Sequence, residues 1–165
     1  MDEVGFTEWA AAAQRPLLRG AYLLTGDPRD AEDLVQEAMV KVALRWDRLA
    51  PENPTAYART VIARDHISRW RRRRRVSEVA LSAGDGAAAV SSDPELAMVV
   101  RGALARLTPK QRAVVVLRHF EDLSVEEVAK ALRIGTGTVK SQNAAALARL
   151  RDGAPELLDL IGRTR

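Results

Sequence analysis

The chain contains no cysteine. A disulfide framework, a thiolate metal site and a cysteine nucleophile are all excluded. Aromatic residues are scarce, with three Trp, two Tyr and two Phe among 165 residues, and the apolar share rests instead on Ala, Leu and Val. That balance favours small helical bundles over a large α/β core. No apolar run approaches the roughly 20 residues a membrane helix needs. The acidic opening from Met1 to Gly5 lacks the apolar stretch of a signal peptide, so a cytoplasmic protein without membrane insertion is expected. Only two histidines are present, His66 and His119, and they are too far apart for metal-ligand spacing. No phosphate-binding glycine loop occurs. An enzyme is therefore the weakest class, and no metal or other cofactor is expected.

What the chain does have is segregated charge. The net charge of +4 is spread unevenly: residues 1–60 and 76–94 are net acidic, whereas 61–75 and 95–165 are net basic. Separate surfaces for separate partners follow from such a pattern. Residues 76–94 are rich in Ala, Gly and Ser, and apolar periodicity fades there. The expectation is an all-α protein of two small helical modules, 1–75 and 95–165, joined by a flexible linker at 76–94. A long internal loop is the alternative, and it is uncommon within compact domains.

Three or four helices are expected in the first module. Phe6, Trp9, Ala10, Ala13, Leu17, Tyr22 and Leu24 form an amphipathic opening, with Pro16 and Gly20 as candidate bends. Asp27 can cap a helix beginning at Pro28. That helix would bury Ala31, Leu34, Val35, Ala38, Met39, Val42 and Leu44, and expose acidic and amide side chains including Asp33, Gln36 and Glu37. Thr55 can cap the next helix, which runs into five consecutive arginines, Arg71 to Arg75.

In the second module, Thr108 precedes Pro109 as a helix start. Ser124-Val125-Glu126-Glu127 has the form of a capping box. A short turn at Arg133-Ile134-Gly135 follows, with Ile134 reaching back to the core. Thr136 can then cap a second helix, buried through Val139, Ala146, Leu147 and Leu150. Thr138, Lys140, Ser141, Gln142 and Asn143 are left near its exposed start, where they suit base edges and phosphates in a major groove. The plainer alternative is a helical hairpin with a solvated polar face. The arginine run likewise admits a solubilising helix end or a localisation tract. A phosphate-binding edge is favoured because a DNA-binding module follows. Tyr57, His66 and Trp70 could stack on unpaired bases, or Tyr57 and Trp70 could be core.

Taken together, these blocks resemble the bacterial sigma factors of the extracytoplasmic-function group, and more narrowly the small actinobacterial SigE family. The resemblance is carried by residues 26–37, 56–65 and 68–75 in the first module, and by 107–118, 121–124 and 137–141 in the second. It implies a non-enzymatic initiation subunit with core RNA polymerase and promoter DNA as partners. Asp33, Gln36 and Glu37 would grip the β′ clamp helices. The helix from Thr55 would read and open the minus-ten element, with Asn53 at the pocket for a flipped base. Tyr57, Arg64, His66, Arg69, Trp70, Arg71, Arg72 and Arg73 would contact that DNA. The second module would read the minus-thirty-five element through Thr136, Thr138, Lys140, Ser141, Gln142 and Asn143, and would also meet the β flap. Control would come either from an anti-sigma factor wedged between the modules or from expression alone. Arg64, Arg69 and Ala145 depart from the family's usual Asn, Trp and Arg, and the turn glycine expected near Arg133 is absent. The competing reading is a stand-alone helix-turn-helix regulator, for which the acidic face would have no use.

Overall fold

The computed structural model describes residues 2–76 and 94–163, so the linker expected at 76–94 lies almost wholly outside the described residues. All regular structure among the described residues is helical. In the first module, α1 spans Glu3–Thr25, α2 Pro28–Ala43, α3 Trp46–Leu49 and α4 Pro54–Val76. In the second, α5 spans Pro94–Ala105, α6 Pro109–Val115, α7 Val125–Leu132, α8 Thr136–Gly153 and α9 Pro155–Arg163. A π-helical turn, Val116–Phe120, extends α6.

Local chemistry explains most boundaries. Asp27 accepts a hydrogen bond from the Asp30 amide at 3.0 Å, so α2 starts with a capped first turn and Pro28 inside it. Gly26 ends α1 with φ +67°, a left-handed conformation that costs glycine little. Reciprocal capping boxes open α6 and α7: Thr108 with Gln111, and Ser124 with Glu127.

Two expected caps are replaced. Asn53 caps α4 by accepting from the Ala56 amide at 2.9 Å, while the Thr55 hydroxyl accepts from the Trp9 indole at 2.9 Å. Thr136 lies inside α8, whose N-cap is Gly135 with no side-chain cap bond. Neither Pro16 nor Gly20 interrupts α1, which runs unbroken through both. Gly20 serves close approach instead: a Cβ there would stand 2.7 Å from a carboxylate oxygen of Glu121.

α1, α2 and α4 pack together around Leu17, Leu34, Ala38, Val42 and Ile62, with Trp46 of α3 closing one end. Phe6, Trp9 and Trp46 meet there with ring centroids 5.4–5.8 Å apart. The second module centres on α8, which packs against α5, α6, α7 and α9. Leu157 and Ile161 bury the tail helix.

The two modules do not stand apart. α4 packs on α6 and α7, and α1 packs on α5, α6 and the π-helical turn. Leu17, Ala21, Leu24 and Ile62 from the first module face Val116 and Leu117 from the second across one apolar seam. Burial of such surface is stabilising at about 25 cal/mol per Å².

Candidate nucleic-acid and polymerase interfaces

On α2, Asp33, Gln36 and Glu37 are all exposed, as their helical spacing requires. The same stripe continues into Val40, 59% exposed, and Leu44, 77% exposed. Leu44 was expected in the core, but it follows Ala43, the last residue of α2, and the chain turns there. Sequence reasoning missed both apolar residues as surface features. The signal available was their spacing of seven and eleven residues from Asp33.

The DNA-facing candidates on α4 separate into several environments. Arg71, Arg72 and Arg75 line a charged groove of about 540 Å³ with Glu37, Lys41, Asp65 and Ser68, in which Lys41 and Asp65 pair at 2.7 Å. Arg69 and Arg73 are held by α2: Arg69 meets Glu37 at 2.6 Å, and Arg73 meets both oxygens of Asp30 at 2.8 Å. The Arg73 hydrogen bond holds the Asp30 carboxyl below its ordinary value. Trp70 is exposed, with the Arg74 guanidinium 5.2 Å from its ring centroid. It is therefore not a core residue.

Toward the start of α4, the candidates face the second module. Asn53, Tyr57 and Arg64 line a cleft of about 630 Å³ whose far wall includes Glu127, Lys130 and Ala131. The Asn53 side-chain oxygen is spent on the helix cap. Tyr57 is half-buried beneath Arg45, whose guanidinium lies 5.8 Å from the ring. Arg64 donates to the backbone carbonyls of Ala131 and Lys130, the latter at 3.1 Å.

His66 is half-buried on α4. Its Nε2 is enclosed without a hydrogen-bond partner, and burial, reinforced by Arg112 and Arg73, pushes its pKa down to about 4. It is a neutral ring at physiological pH.

The helix-turn-helix is formed by α7 and α8. α7 ends at Arg133, whose φ of 56° and ψ of 47° occupy the left-handed region where a glycine was expected. A bulky residue there costs on the order of 1 kcal/mol. Ile134 folds back onto the core as expected. Thr136, Lys140 and Ser141 are exposed at the start of α8, and Thr138 and Gln142 are half-buried beside them. Asn143 differs: its Oδ1 lies 2.9 Å from Nε2 of buried His119. Its side-chain oxygen is therefore tied to the fold. Among the described residues, no group of three or more His, Cys, Asp or Glu could hold a metal ion, and no helix is long and apolar enough to cross a membrane.

An all-helical fold with an exposed recognition helix and an arginine-rich helix defines a DNA-binding protein of two modules. Comparison with known families places Sigma-70 region 2 on residues 10–76 and Sigma-70 region 4 on residues 103–152. The chain is 42% identical over 150 residues to an RNA polymerase sigma-E factor of Streptomyces avermitilis, covering 89% of this chain and 83% of that one. It is also 42% identical over 152 residues to an RNA polymerase sigma-E factor of Streptomyces coelicolor, covering 89% and 84%. Among solved structures, the fold is shared with the sigma factor RpoE of Bartonella quintana, crystallised with the anti-sigma factor NepR. The TM-score is 0.69 at 22% identity, over 89% of this chain and 94% of that one.

The chain belongs to the sigma-70 family of RNA polymerase sigma factors, in its extracytoplasmic-function group. It binds core RNA polymerase and directs transcription initiation at promoters, which sets aside the stand-alone regulator. Its family is not one of enzymes.

Proposed function

We propose that initiation is divided between the modules, 1–75 acting as region 2 and 95–165 as region 4, with 76–94 as the connection. Region 2 engages the polymerase β′ clamp helices through Asp33, Gln36 and Glu37, then reads and opens the minus-ten element with α4. Region 4 reads the minus-thirty-five element as duplex through the start of α8 and meets the β flap. The protein makes and breaks no covalent bonds itself, and it works in the cytoplasm.

The observation that carries this reading is the presence of two surfaces of unlike charge on one module, meeting at Glu37. An exposed acidic and amide face on α2 suits a cationic protein partner. The basic groove bordered by Arg71, Arg72 and Arg75 suits a polyanion. A DNA-binding protein acting alone has no need of the first. Within this division, Lys140 and Ser141 contact duplex DNA, and Asn143 supports the helix that presents them. The anti-sigma factor bound by the Bartonella relative makes a similar sequestering partner the natural control for this chain.

Run-off transcription with purified core polymerase and genomic promoter fragments tests the reading. Promoter-specific transcripts that require the protein, and that are lost when either module's surface is altered, are expected. Transcripts that survive alteration of both the α2 face and the α8 face would overturn the division.

A further inference from the structure

Three ion pairs join α2 to α4 like the rungs of a ladder. Asp30 meets Arg73 at 2.8 Å, Glu37 meets Arg69 at 2.6 Å, and Lys41 meets Asp65 at 2.7 Å. Asp65, Arg69 and Arg73 stand four residues apart, so they share one face of α4. The rungs differ in what they leave open. The Arg73 side chain is 62% exposed, whereas that of Arg69 is only 18% exposed. Among residues 69–75, Arg69 alone is not exposed. A guanidinium so covered, with its Nη2 committed to a carboxylate, is poorly placed to meet a phosphate. Glu37 is the opposite case, with a side chain 54% exposed. Arg69 engages its Oε1, and a carboxylate with two oxygens keeps room for a second donor.

Glu37 lies beside Asp33 and Gln36 on the exposed face of α2. We infer that Arg69 serves the polymerase surface rather than the DNA surface, as a positioning residue that fixes the Glu37 carboxylate on the face α2 turns to core polymerase. An unrestrained glutamate gives up rotamer freedom when a partner binds, and that loss lowers affinity. Arg69 imposes the loss during folding instead. Its own side chain is covered by the fold, so the restraint holds where a fully exposed pair would be loose. Charge acts in the opposite direction, because Arg69 offsets part of the negative potential that a cationic partner meets. Solvent and salt screen that offset at an exposed carboxylate, whereas they do not screen the rotamer restraint. The inference rests on the proposed role of α2 and reassigns Arg69, which the sequence alone places on the minus-ten DNA. Arg71, Arg72 and Arg75 remain as the groove's phosphate contacts.

The test uses the full chain and two measurements: affinity for core polymerase by fluorescence anisotropy, and the salt dependence of non-specific duplex binding. Arg69→Ala is expected to weaken core binding by about threefold to tenfold and to leave the DNA salt slope unchanged. Arg71→Ala is expected to do the reverse, keeping core affinity and reducing the slope by about one. Arg69→Lys keeps a cation without the planar fork and should recover part of the core affinity. Glu37→Ala should weaken core binding too, and adding Arg69→Ala to it should weaken binding no further, since the two side chains act as one unit. Thermal melts record that each variant is folded at the assay temperature. Equal losses from Arg69→Ala with and without Glu37→Ala would overturn the positioning role. Unchanged or tighter core binding by Arg69→Ala would overturn it as well, and a salt slope reduced as far as in Arg71→Ala would return Arg69 to the DNA surface. Core affinity untouched by Glu37→Ala would overturn the role by taking Glu37 out of the polymerase face, leaving Asp33 and Gln36 to their own test.

Discussion

Arg73 and Asp30 are joined by two parallel hydrogen bonds of 2.8 Å, which tie the arginine run of α4 to the first turn of α2. The pair is bidentate, the stronger arrangement for a guanidinium and a carboxylate. It also neutralises one cation of a helix that is otherwise a phosphate-binding edge. Asp30→Asn is expected to cost at most about 1 kcal/mol of stability, because Arg73 is largely exposed and solvent screens the pair. The same change should strengthen non-specific DNA binding and steepen its salt dependence by up to about one unit. Thermal melts and a salt titration of DNA affinity check both parts.

Asp33→Ala combined with Gln36→Ala should weaken core polymerase binding by about tenfold or more, by removing a charge and an amide from the exposed α2 face. Neither side chain is buried, so the melting temperature should hold. Affinity for core is measured by fluorescence anisotropy. An unchanged affinity would remove α2 from the interface.

Lys140 and Asn143 were both read from the sequence as groove-facing; Lys140 is exposed, whereas the Asn143 side-chain oxygen meets His119. Lys140→Ala should lower duplex affinity and reduce its salt slope by about one. Asn143→Ala should act on stability instead, costing about 1–2 kcal/mol by removing a partner of buried His119. Its base preference should match the parent's. Salt titrations and denaturant melts of the two variants, run side by side, expose any exchange of these roles.

His66 makes stability fall on acidification. Its folded-state value of about 4 lies below the ordinary 6.5, so the unfolded chain takes up the proton first. The contribution of the neutral ring is complete above pH 6.5 and is lost as the pH falls from 6.5 to about 4. Its full size is on the order of 3 kcal/mol. His66→Gln should flatten the loss across that window. Denaturant midpoints between about pH 7 and about pH 4.5 measure it, and equal slopes in the two proteins would count against the burial of this ring.

Helices and their starts were legible because their causes are local. Asp27 before Pro28, Thr108 before Pro109 and Ser124 before Glu127 each satisfy amides within three residues, and all three caps form. The exposed face of α2 followed from periodicity alone. The caps that failed, Thr55 and Thr136, did so for different reasons. Trp9, forty-six residues away, claims the Thr55 hydroxyl, and Gly135 takes the cap position ahead of Thr136.

The sequence by itself therefore determined the helical class, the two modules and the charge carried by each surface, because these depend on spacing and composition. Tertiary structure decided which of those charges are free. Asp30, Glu37 and the carbonyls of Lys130 and Ala131 engage Arg73, Arg69 and Arg64, while the His66 Nε2 is enclosed. Each outcome turns on a partner more than thirty residues distant or on the packing of whole helices, which no local pattern encodes. The packing of one module on the other has the same origin: the last turn of α7 and an apolar seam meet their partners only when both modules are already folded.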